Sequence, residues 1–427
     1  MLERENNVTL CIDIGTTNIK FLYKSTDERI IRFEEEVTMY YDEKGNSFQI
    51  PEEILETILH NIMLMNQKYG QIDNIALSVP MHTLIINHKL WLWSDIRSAT
   101  WVDTFNQSEL ALKFYNLTGT PIHPMSPFCK IAYLQSLNRI EKAQRLIGLK
   151  EYLMSVLTGE FFIDYSTAST TGLFNLHTLD WSEEVLTFLK IKREQLGRLV
   201  DTNFHAPINL VLATQLGLSK GVKIFVGGCD GCLASLATLI KYQEKNVLTM
   251  GTSGAARSVR DEITLSNQGR YFCYYMTSKH WVIGGPTNNG GNVIQWWSRI
   301  IYRDSKEIYQ HLDRISERQN LKNLKVNPYL FGERAPYWDI HKTGTIMGLS
   351  ASYDEDDLSY AIIVGVFNNL IQIANDLKIE GNILVNGGVF RNPYLRKIFQ
   401  DLWPDNVVLA ENCEPCDGLL YLVESKY

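Results

Sequence analysis

The sequence lacks any apolar run long enough to suggest a membrane span, and it has no low-complexity tract, heptad repeat or Gly/Ser-rich linker. Its first ten residues mix acidic and basic side chains without an apolar core, so they do not predict a signal peptide. No basic run offsets the formal net charge of -7, which argues against nucleic acid as a partner. These absences favour a cytoplasmic protein without a membrane partner.

Cysteine is scarce and odd in number, with seven residues in a chain of 427. An odd set of this size fits a reducing compartment better than a disulfide framework. Two C-x-x-C pairs, Cys229/Cys232 and Cys413/Cys416, have the spacing of zinc ligands. Because the pairs lie far apart in sequence, we interpret them as small apolar side chains in tight turns.

Short β-branched apolar runs recur along the chain, and each ends at a glycine-rich turn. They cover Val8 to Ile14, Ile75 to Val79, Val222 to Val226, Val247 to Met250, Trp281 to Ile283 and Ile383 to Val385. Helical patterns such as Glu52 to Tyr69 and Asp357 to Leu377 lie between them. This mixture predicts an α/β fold, and the length is enough for two domains.

One pattern occurs twice, because the stretch from Leu10 to Thr17 resembles the stretch from Val247 to Ser253. In both, an apolar strand runs into Gly-Thr followed by a hydroxyl residue. The repeat indicates two similar halves. We place the division between residues 1–220 and 221–427.

The first of these loops has the donors that a phosphate needs. Gly15 lets the backbone approach closely, Thr16 and Thr17 supply hydroxyl groups, and Lys20 adds a positive charge. Asp13 could hold a magnesium ion through water. A plain hairpin turn explains this loop equally well when it is taken alone.

The second loop, with Gly251, Thr252 and Ser253, makes a phosphate site more convincing, because two such loops facing one another can clamp a phosphate tail. Paired Asp-x-Gly-Thr loops also occur in aspartic proteases, but Met250 stands where the second aspartate would be needed. A P-loop is excluded because no G-x-x-x-x-G-K-[ST] occurs.

Two further glycine-rich turns follow predicted strands. Gly387 and Gly388 would let a flat ring lie against bare backbone, although such a turn is also common between a strand and a helix. Asp230 follows Gly227-Gly228-Cys229 at a predicted helix start. It could be a helix cap, but beside phosphate loops we interpret it as the general base that a phosphoryl transfer to a hydroxyl requires.

The order of these motifs resembles that of the FGGY carbohydrate kinases, in the actin and hexokinase superfamily. The resemblance is carried by Asp13-Ile-Gly-Thr-Thr17, Met81-His82, Trp93-Ser-Asp95-Ile-Arg97, Asp164-Tyr-Ser-Thr-Ala168, Gly227-Gly-Cys-Asp230-Gly231, Gly251-Thr-Ser-Gly254, Gly332-Glu-Arg-Ala-Pro-Tyr-Trp338 and Asn386-Gly-Gly388. It implies two ribonuclease H-like domains that close over a sugar and ATP with Mg²⁺ in an interdomain cleft. It further implies Asn392 near the nucleotide, and Met81, His82, Asp95 and Asp230 near the sugar.

Longer stretches are most similar to the gluconokinase branch of this family. They include Thr118-Gly-Thr-Pro-Ile-His123, Lys150-Glu-Tyr-Leu153 and Asn288-Asn-Gly-Gly-Asn292. A carboxylate substrate such as gluconate needs a cation in the sugar pocket, and Arg97 and Lys130 are the candidates.

Two alternatives stay open at this point. One is a kinase of the same fold for xylulose, ribulose or glycerol, and the other is a non-catalytic, actin-like ATP-binding regulator. The oligomeric state is also open, with a homodimer as one option.

Overall fold

The computed structural model describes residues 7–141, 143–318, 321 and 323–425, so most of the segment used for the signal-peptide prediction lies outside it. The strands are β1 Thr9–Ile14, β2 Asn18–Lys24, β3 Ile30–Glu36, β4 Tyr40–Tyr41, β5 Ser47–Phe48, β6 Asn74–Val79, β7 Leu84–Ile86, β8 Lys89–Trp91, β9 Phe162–Asp164, β10 Phe174–Asn175, β11 Asp180–Trp181, β12 Arg198–Val200, β13 His205–Pro207, β14 Lys223–Cys229, β15 Asn246–Met250, β16 Gly254–Arg260, β17 Phe272–Thr277, β18 His280–Thr287, β19 Lys325–Asn327, β20 Thr345–Met347, β21 Ile383–Asn386 and β22 Val407–Leu409.

The helices are α1 Pro51–Tyr69, α2 Ala99–Phe105, α3 Glu109–Thr118, α4 Pro127–Ser136, α5 Leu149–Thr158, α6 Tyr165–Ser169, α7 Glu183–Leu189, α8 Leu210–Leu216, α9 Asp230–Tyr242, α10 Gly291–Tyr302, α11 Leu312–Ile315, α12 Glu355–Asp376, α13 Gly388–Arg391, α14 Pro393–Leu402 and α15 Pro415–Val423. Short 3₁₀ helices cover Arg193–Gln195 and Glu307–Gln310.

The first sheet has the order β13-β14-β6-β1-β2-β3. Strand β1 pairs in parallel with β6 and antiparallel with β2, and β6 pairs in parallel with β14. Because parallel strands end at the same edge, the carboxyl ends of β1, β6 and β14 lie side by side. This edge therefore carries Asp13, the segment after Val79, and Asp230.

The second sheet, β17-β18-β16-β15-β21-β22, repeats the centre of the first. Strand β15 pairs antiparallel with β16 across the Gly251 loop and in parallel with β21, as β1 pairs with β2 and β6. The predicted α/β fold class with two similar halves is confirmed. The carboxyl ends of β15 and β21 bring the second and third glycine-rich loops to one edge.

The two halves share more structure than the sequence indicated. Strand β14 lies beyond the predicted division at residue 220, yet it pairs with β6 in the first sheet. Helix α15, near the end of the chain, packs on β1, β6 and α9. A short apolar run such as Val222 to Val226 does not specify its sheet, which is decided by pairing partners far away in sequence.

Three large cores fill the molecule. One lies between the first sheet and helices α1, α5 and α8, and another joins the second sheet to α10, α12 and α14. A third, between the two sheets, contains Cys11, Cys229, Cys232 and Cys416, all buried as free thiols. Within the described residues, no group of three or more potential metal-ligating side chains occurs.

Helix α12 corrects one expectation from the sequence. Its 22 residues are long and apolar enough to cross a membrane, whereas no stretch was expected to be. Most of its apolar window is buried in the second core. A helix that is apolar on most of its faces is suited to the centre of a large domain as well as to a bilayer.

The bulge in β14 constrains Gly227, and this leads to the first prediction. Gly227 has a φ of 69°, and a Cβ there would lie 2.2 Å from the carbonyl oxygen of Leu77. We expect Gly227→Ala to lower the free energy of unfolding by about 3 kcal/mol or more, because backbone must move.

Gly45→Ala is the matched control. Gly45 also has a positive φ, 80°, but nothing lies within 4 Å of the added Cβ. It should cost only about 1 kcal/mol, the penalty for the left-handed conformation. Urea unfolding of both variants checks the difference, and equal losses would contradict the clash.

Candidate active site

Asp13 and Asp230 come together at the carboxyl edge of the first sheet. Asp13 is the next-to-last residue of β1, is buried, and accepts a hydrogen bond of 2.7 Å from the Ser78 hydroxyl of β6. Burial raises the pKa of Asp13 to about 7; the Ser78 hydrogen bond opposes the rise and the Asp230 carboxylate adds to it. Two carboxylates near one another in a partly dry site indicate a place for a cation or a proton.

Asp230 is the first residue of α9 and is half-buried. Its side chain accepts a hydrogen bond of 2.8 Å from the backbone N–H of Gly231. Burial raises the pKa of Asp230, while the Arg257 guanidinium of β16 lowers it. Arg257 belongs to the second sheet, so Asp230 faces the cleft between the lobes.

The first glycine-rich loop is a hairpin turn between β1 and β2. Gly15 donates its N–H to the Asn18 carbonyl at 2.9 Å, and Gln49 donates to the Thr16 carbonyl at 2.8 Å. Thr17 is exposed. Lys20 forms a 2.9 Å salt bridge with Glu414 at the start of α15, so its charge is partly neutralised.

The second loop rests on the start of α10. Gly291 donates its N–H to the Gly251 carbonyl at 2.8 Å, and Asn292 donates to the Thr252 carbonyl at 3.2 Å. Gly251 and Thr252 are exposed and Ser253 is half-buried. Backbone hydrogen bonds from the start of α10 therefore fix one side of the loop, and its other side is exposed to solvent.

The third loop lies directly beside the second. Gly387 has a φ of 101°, and a Cβ there would lie 2.4 Å from the Met250 carbonyl oxygen. A Cβ on Gly388 would meet nothing within 4 Å. The Asn392 side chain accepts hydrogen bonds from the N–H groups of Tyr394 and Leu395, so its oxygen caps α14.

His82 lies on the other side of Asp230, in the loop after β6. Its Nδ1 is 2.7 Å from the Thr170 carbonyl, and its ring packs edge-on against Tyr274. Burial, with the Lys130 charge, lowers the pKa of His82 to about 3. The ring is therefore neutral, with its proton on Nδ1, and Nε2 can accept a hydrogen bond from a sugar hydroxyl.

Met81, the residue before His82, lies directly beside Asp230. Its backbone N–H hydrogen bonds to Asp230 and lowers the pKa of that carboxyl. A Cβ on Gly231 would lie 2.3 Å from the Met81 methyl group. The Met81-His82 segment is thus packed against the start of α9.

The two cations expected to bind a carboxylate are engaged elsewhere. Lys130 is buried and donates to the carbonyls of His82 and Leu92, both at 2.7 Å. Arg97 lies over the Trp91 ring at 4.0 Å and pairs with Asp95 at 3.1 Å. Both therefore hold the loops around His82 and Asp95, and burial lowers the pKa of Lys130 to about 7.

Sequence reasoning missed the residues that the second lobe brings to this region. Arg334 is buried, lies 4.7 Å above the Trp93 ring and donates to the Thr287 carbonyl at 3.0 Å. Its neighbour Glu333 accepts hydrogen bonds from Thr287, Asn288, Asn289, Arg334 and Asn369. The motif from Gly332 to Trp338 carried a signal, since it was part of the family resemblance, but it suggested no role.

Comparisons with known proteins agree with this geometry. The N-terminal domain model of the FGGY family of carbohydrate kinases matches residues 8–237, and the C-terminal domain model matches residues 246–416. A gluconokinase of Bacillus subtilis is 34% identical over 95% of this chain and 84% of its own length. A xylulose kinase of Lactococcus lactis is 25% identical over 93% of this chain and 83% of its own length.

Solved structures from Lactobacillus acidophilus show the same likeness. A ligand-bound xylulose kinase superposes with a TM-score of 0.91 and a gluconate kinase with a TM-score of 0.90. Each is 28% identical to this chain and covers 98% of it, which corresponds to 89% of the solved chain.

The raised pKa of Asp13 predicts a pH-dependent stability difference. An unfolded aspartate loses its proton near pH 4, whereas folded Asp13 keeps it to about pH 7, so this residue destabilises the ligand-free fold as pH rises between those values. The substitution Asp13→Asn removes this pH-dependent destabilisation, because an amide does not titrate in this range. We expect the variant to exceed the wild type by about 1 to 3 kcal/mol in free energy of unfolding at pH 8, and by less at pH 5.

Urea unfolding at both pH values measures this difference. Asp261→Asn is the control, because Asp261 is exposed and its pKa is lowered by Lys245, so its replacement should give no gain that grows with pH. An Asp13→Asn gain that is the same at pH 5 and pH 8 would show that Asp13 is ionised throughout.

Proposed function

Since the chain belongs to the FGGY family of carbohydrate kinases, we propose that it transfers the γ-phosphoryl group of ATP to D-gluconate, forming 6-phosphogluconate and ADP. The observation that carries this proposal is that Asp230 lies close to Asp13 before the first glycine-rich loop, to Met81 beside His82, and to Arg257 of the second sheet. The 34% identity to a gluconokinase supports gluconate as the sugar.

Asp230 acts as the general base in this reaction. Its raised pKa makes it a better proton acceptor than an ordinary aspartate at the moment the hydroxyl attacks. The O6–P bond forms as the bond between the γ-phosphorus and the ADP oxygen breaks, and the hydroxyl proton passes to Asp230. The Arg257 guanidinium opposes this rise in the pKa of Asp230 and so favours its ionised form.

The loops of both lobes are the nucleotide site in this proposal. Gly15, Thr16 and Thr17 on one side, with Lys20 behind them, and Gly251, Thr252 and Ser253 on the other would bind the phosphates. Gly387, Gly388 and the free amide nitrogen of Asn392 would lie along the nucleoside, because a Cβ on Gly388 would meet only open space. Closure of the lobes would exclude water and limit hydrolysis of ATP.

The residues present also fit a magnesium ion. Asp13 has a carboxyl oxygen beyond the one that Ser78 donates to, and repulsion from the Asp230 carboxylate raises the pKa of Asp13 although the Lys20 charge opposes the rise. Mg²⁺ is usually held by one or two carboxylates, water and phosphates, which suits a site without three clustered ligands. When bound with ATP it would neutralise charge on the phosphates.

His82, Asp95 and Met81 would line the sugar side. His82 offers Nε2 as an acceptor, and the buried Asp95 fixes the loop that carries Trp93. Xylulose is the second candidate substrate, because a ligand-bound xylulose kinase superposes as well as the gluconate kinase does. A cytoplasmic location and a homodimer stay predictions.

The test follows ADP release with ATP and Mg²⁺ against D-gluconate, D-xylulose, L-ribulose and glycerol. We expect turnover with gluconate, and a loss of about 10³-fold or more in kcat for Asp230→Asn, because the amide cannot accept the proton. Asp261→Asn, an exposed carboxylate outside the cleft, should keep the wild-type rate.

The other outcomes are equally informative. Turnover with xylulose, ribulose or glycerol in place of gluconate would support the kinase activity and contradict gluconate as the substrate. A wild-type rate in Asp230→Asn would contradict the role of Asp230 as the general base. Silence with every sugar, despite ATP binding, would favour the regulator.

A further inference from the structure

Two buried nitrogen atoms beside the His82 pocket have hydrogen atoms to donate and nothing to receive them. They are Nε2 of His123 and Nε of Arg334, whose residues are 3% and 8% exposed. Within the described part of the chain neither atom has a hydrogen-bond partner. Leaving a buried donor unpaired costs free energy, so two in one region indicate a ligand that supplies the acceptors.

The hydrogen bonds of His123 show which nitrogen carries its proton. Nδ1 accepts a hydrogen bond of 3.2 Å from the backbone N–H of Met125, so the proton of the neutral ring is on Nε2. Burial, together with the charge of Arg334, lowers the pKa of His123 to about 3. His123 is therefore a neutral donor at physiological pH.

Trp338 connects the two donors. The His123 ring packs edge-on against the Trp338 ring with centroids 5.5 Å apart, and the Trp338 backbone N–H donates to the Arg334 carbonyl. Arg334 reaches from this turn over the Trp93 ring. Each donor residue thus contacts one indole ring, His123 that of Trp338 and Arg334 that of Trp93, and apolar ring faces beside polar donors suit the carbon chain of a sugar acid.

The charge of Arg334 is also uncompensated. No carboxylate of the described residues lies within salt-bridge distance of its guanidinium, whereas the guanidinium groups of Arg32 and Arg97 and the ammonium group of Lys20 are each paired with a carboxylate. Glu333 is close, but its oxygens are occupied by five donors. Arg257, the next cation along the cleft, adds positive potential. A buried, unpaired guanidinium with a second donor beside it is suited to a carboxylate.

We propose that His123 Nε2–H and Arg334 Nε–H together bind the carboxylate of an aldonate substrate and so determine the preference for a sugar acid over a neutral sugar. This inference rests on the proposed function, since it concerns the end of the substrate opposite the hydroxyl at Asp230. It replaces Arg97 and Lys130 in that role. Two Arg97 nitrogens, Nε and Nη2, also lack hydrogen-bond partners in the described part of the chain, but the Arg97 charge is paired with Asp95 and Asp42. The Lys130 ammonium already donates to two backbone carbonyls.

The experiment compares D-gluconate with D-gluconamide, which differs from it by a neutral amide in place of the carboxylate. The variants are His123→Phe, which keeps a ring against Trp338 but removes the donor, and Arg334→Met, which keeps length but removes the charge. Steady-state kcat/KM for both substrates and calorimetric titration of gluconate without ATP are the readouts.

We expect Arg334→Met to lower kcat/KM for gluconate by about 100-fold and for gluconamide by about tenfold or less. His123→Phe should lower the gluconate value by about 10- to 30-fold and the gluconamide value by about threefold. The ratio of kcat/KM for gluconate to that for gluconamide should therefore fall in both Arg334→Met and His123→Phe. The matched controls, Arg314→Met and His60→Phe on exposed helix surfaces, should keep the wild-type ratio.

The outcomes separate this inference from the proposed function. If the wild type phosphorylates gluconate and both variants keep its preference over gluconamide, the subsite is wrong while the function stands. If the wild type rejects gluconate and accepts a neutral polyol, the carboxylate subsite and the proposed gluconate kinase activity are both wrong. If Arg334→Met does not fold, as judged by circular dichroism, an unchanged preference in His123→Phe is sufficient to overturn the subsite.

Discussion

The parallel pairing of β6 with both β1 and β14 is the constraint on which the rest of the site depends. It brings Asp13, Ser78 and Asp230 to one edge although Asp13 and Asp230 are separated by more than two hundred residues. Lys150 secures this pairing at the bulge, since its buried ammonium donates to the carbonyls of Leu77, Val226 and Gly228. A charge in that position satisfies carbonyls that the irregular ladder leaves free.

Buried charges in this molecule fall into two groups. Lys130, Lys150 and Glu333 are surrounded by hydrogen-bond partners and hold loops or strands in place. For Asp13, the half-buried Asp230 and Arg334, burial is the largest influence on the pKa and disfavours the charged form. Because desolvation without compensation is costly, it is tolerated where a substrate or ion supplies the missing partner.

Helix α15 links the two halves. It comes at the end of the second half of the sequence, yet Lys20 and Arg32 of the first sheet pair with Glu414 and Asp417 at its start. Arg391, beside the third glycine-rich loop, lies 3.7 Å from the same Glu414. Glu414 therefore lies between Lys20, which follows the first glycine-rich loop, and Arg391, which lies beside the third.

The sequence alone determined the fold class, the internal repeat, and the positions of Asp13, Asp230 and the three glycine-rich loops. Each is a local pattern, a strand followed within a few residues by a turn, and such patterns can be read along the chain. The carboxylate-binding cation could not be read in this way. Arg97, Lys130 and Arg334 are alike as residue types, and what separates them is whether groups distant in sequence already neutralise or satisfy them. Lys130 is satisfied by carbonyls of residues 82 and 92, while Arg334 meets Trp93 from the opposite lobe. Only the tertiary structure decides this, because burial and pairing of a charge depend on which segments pack together.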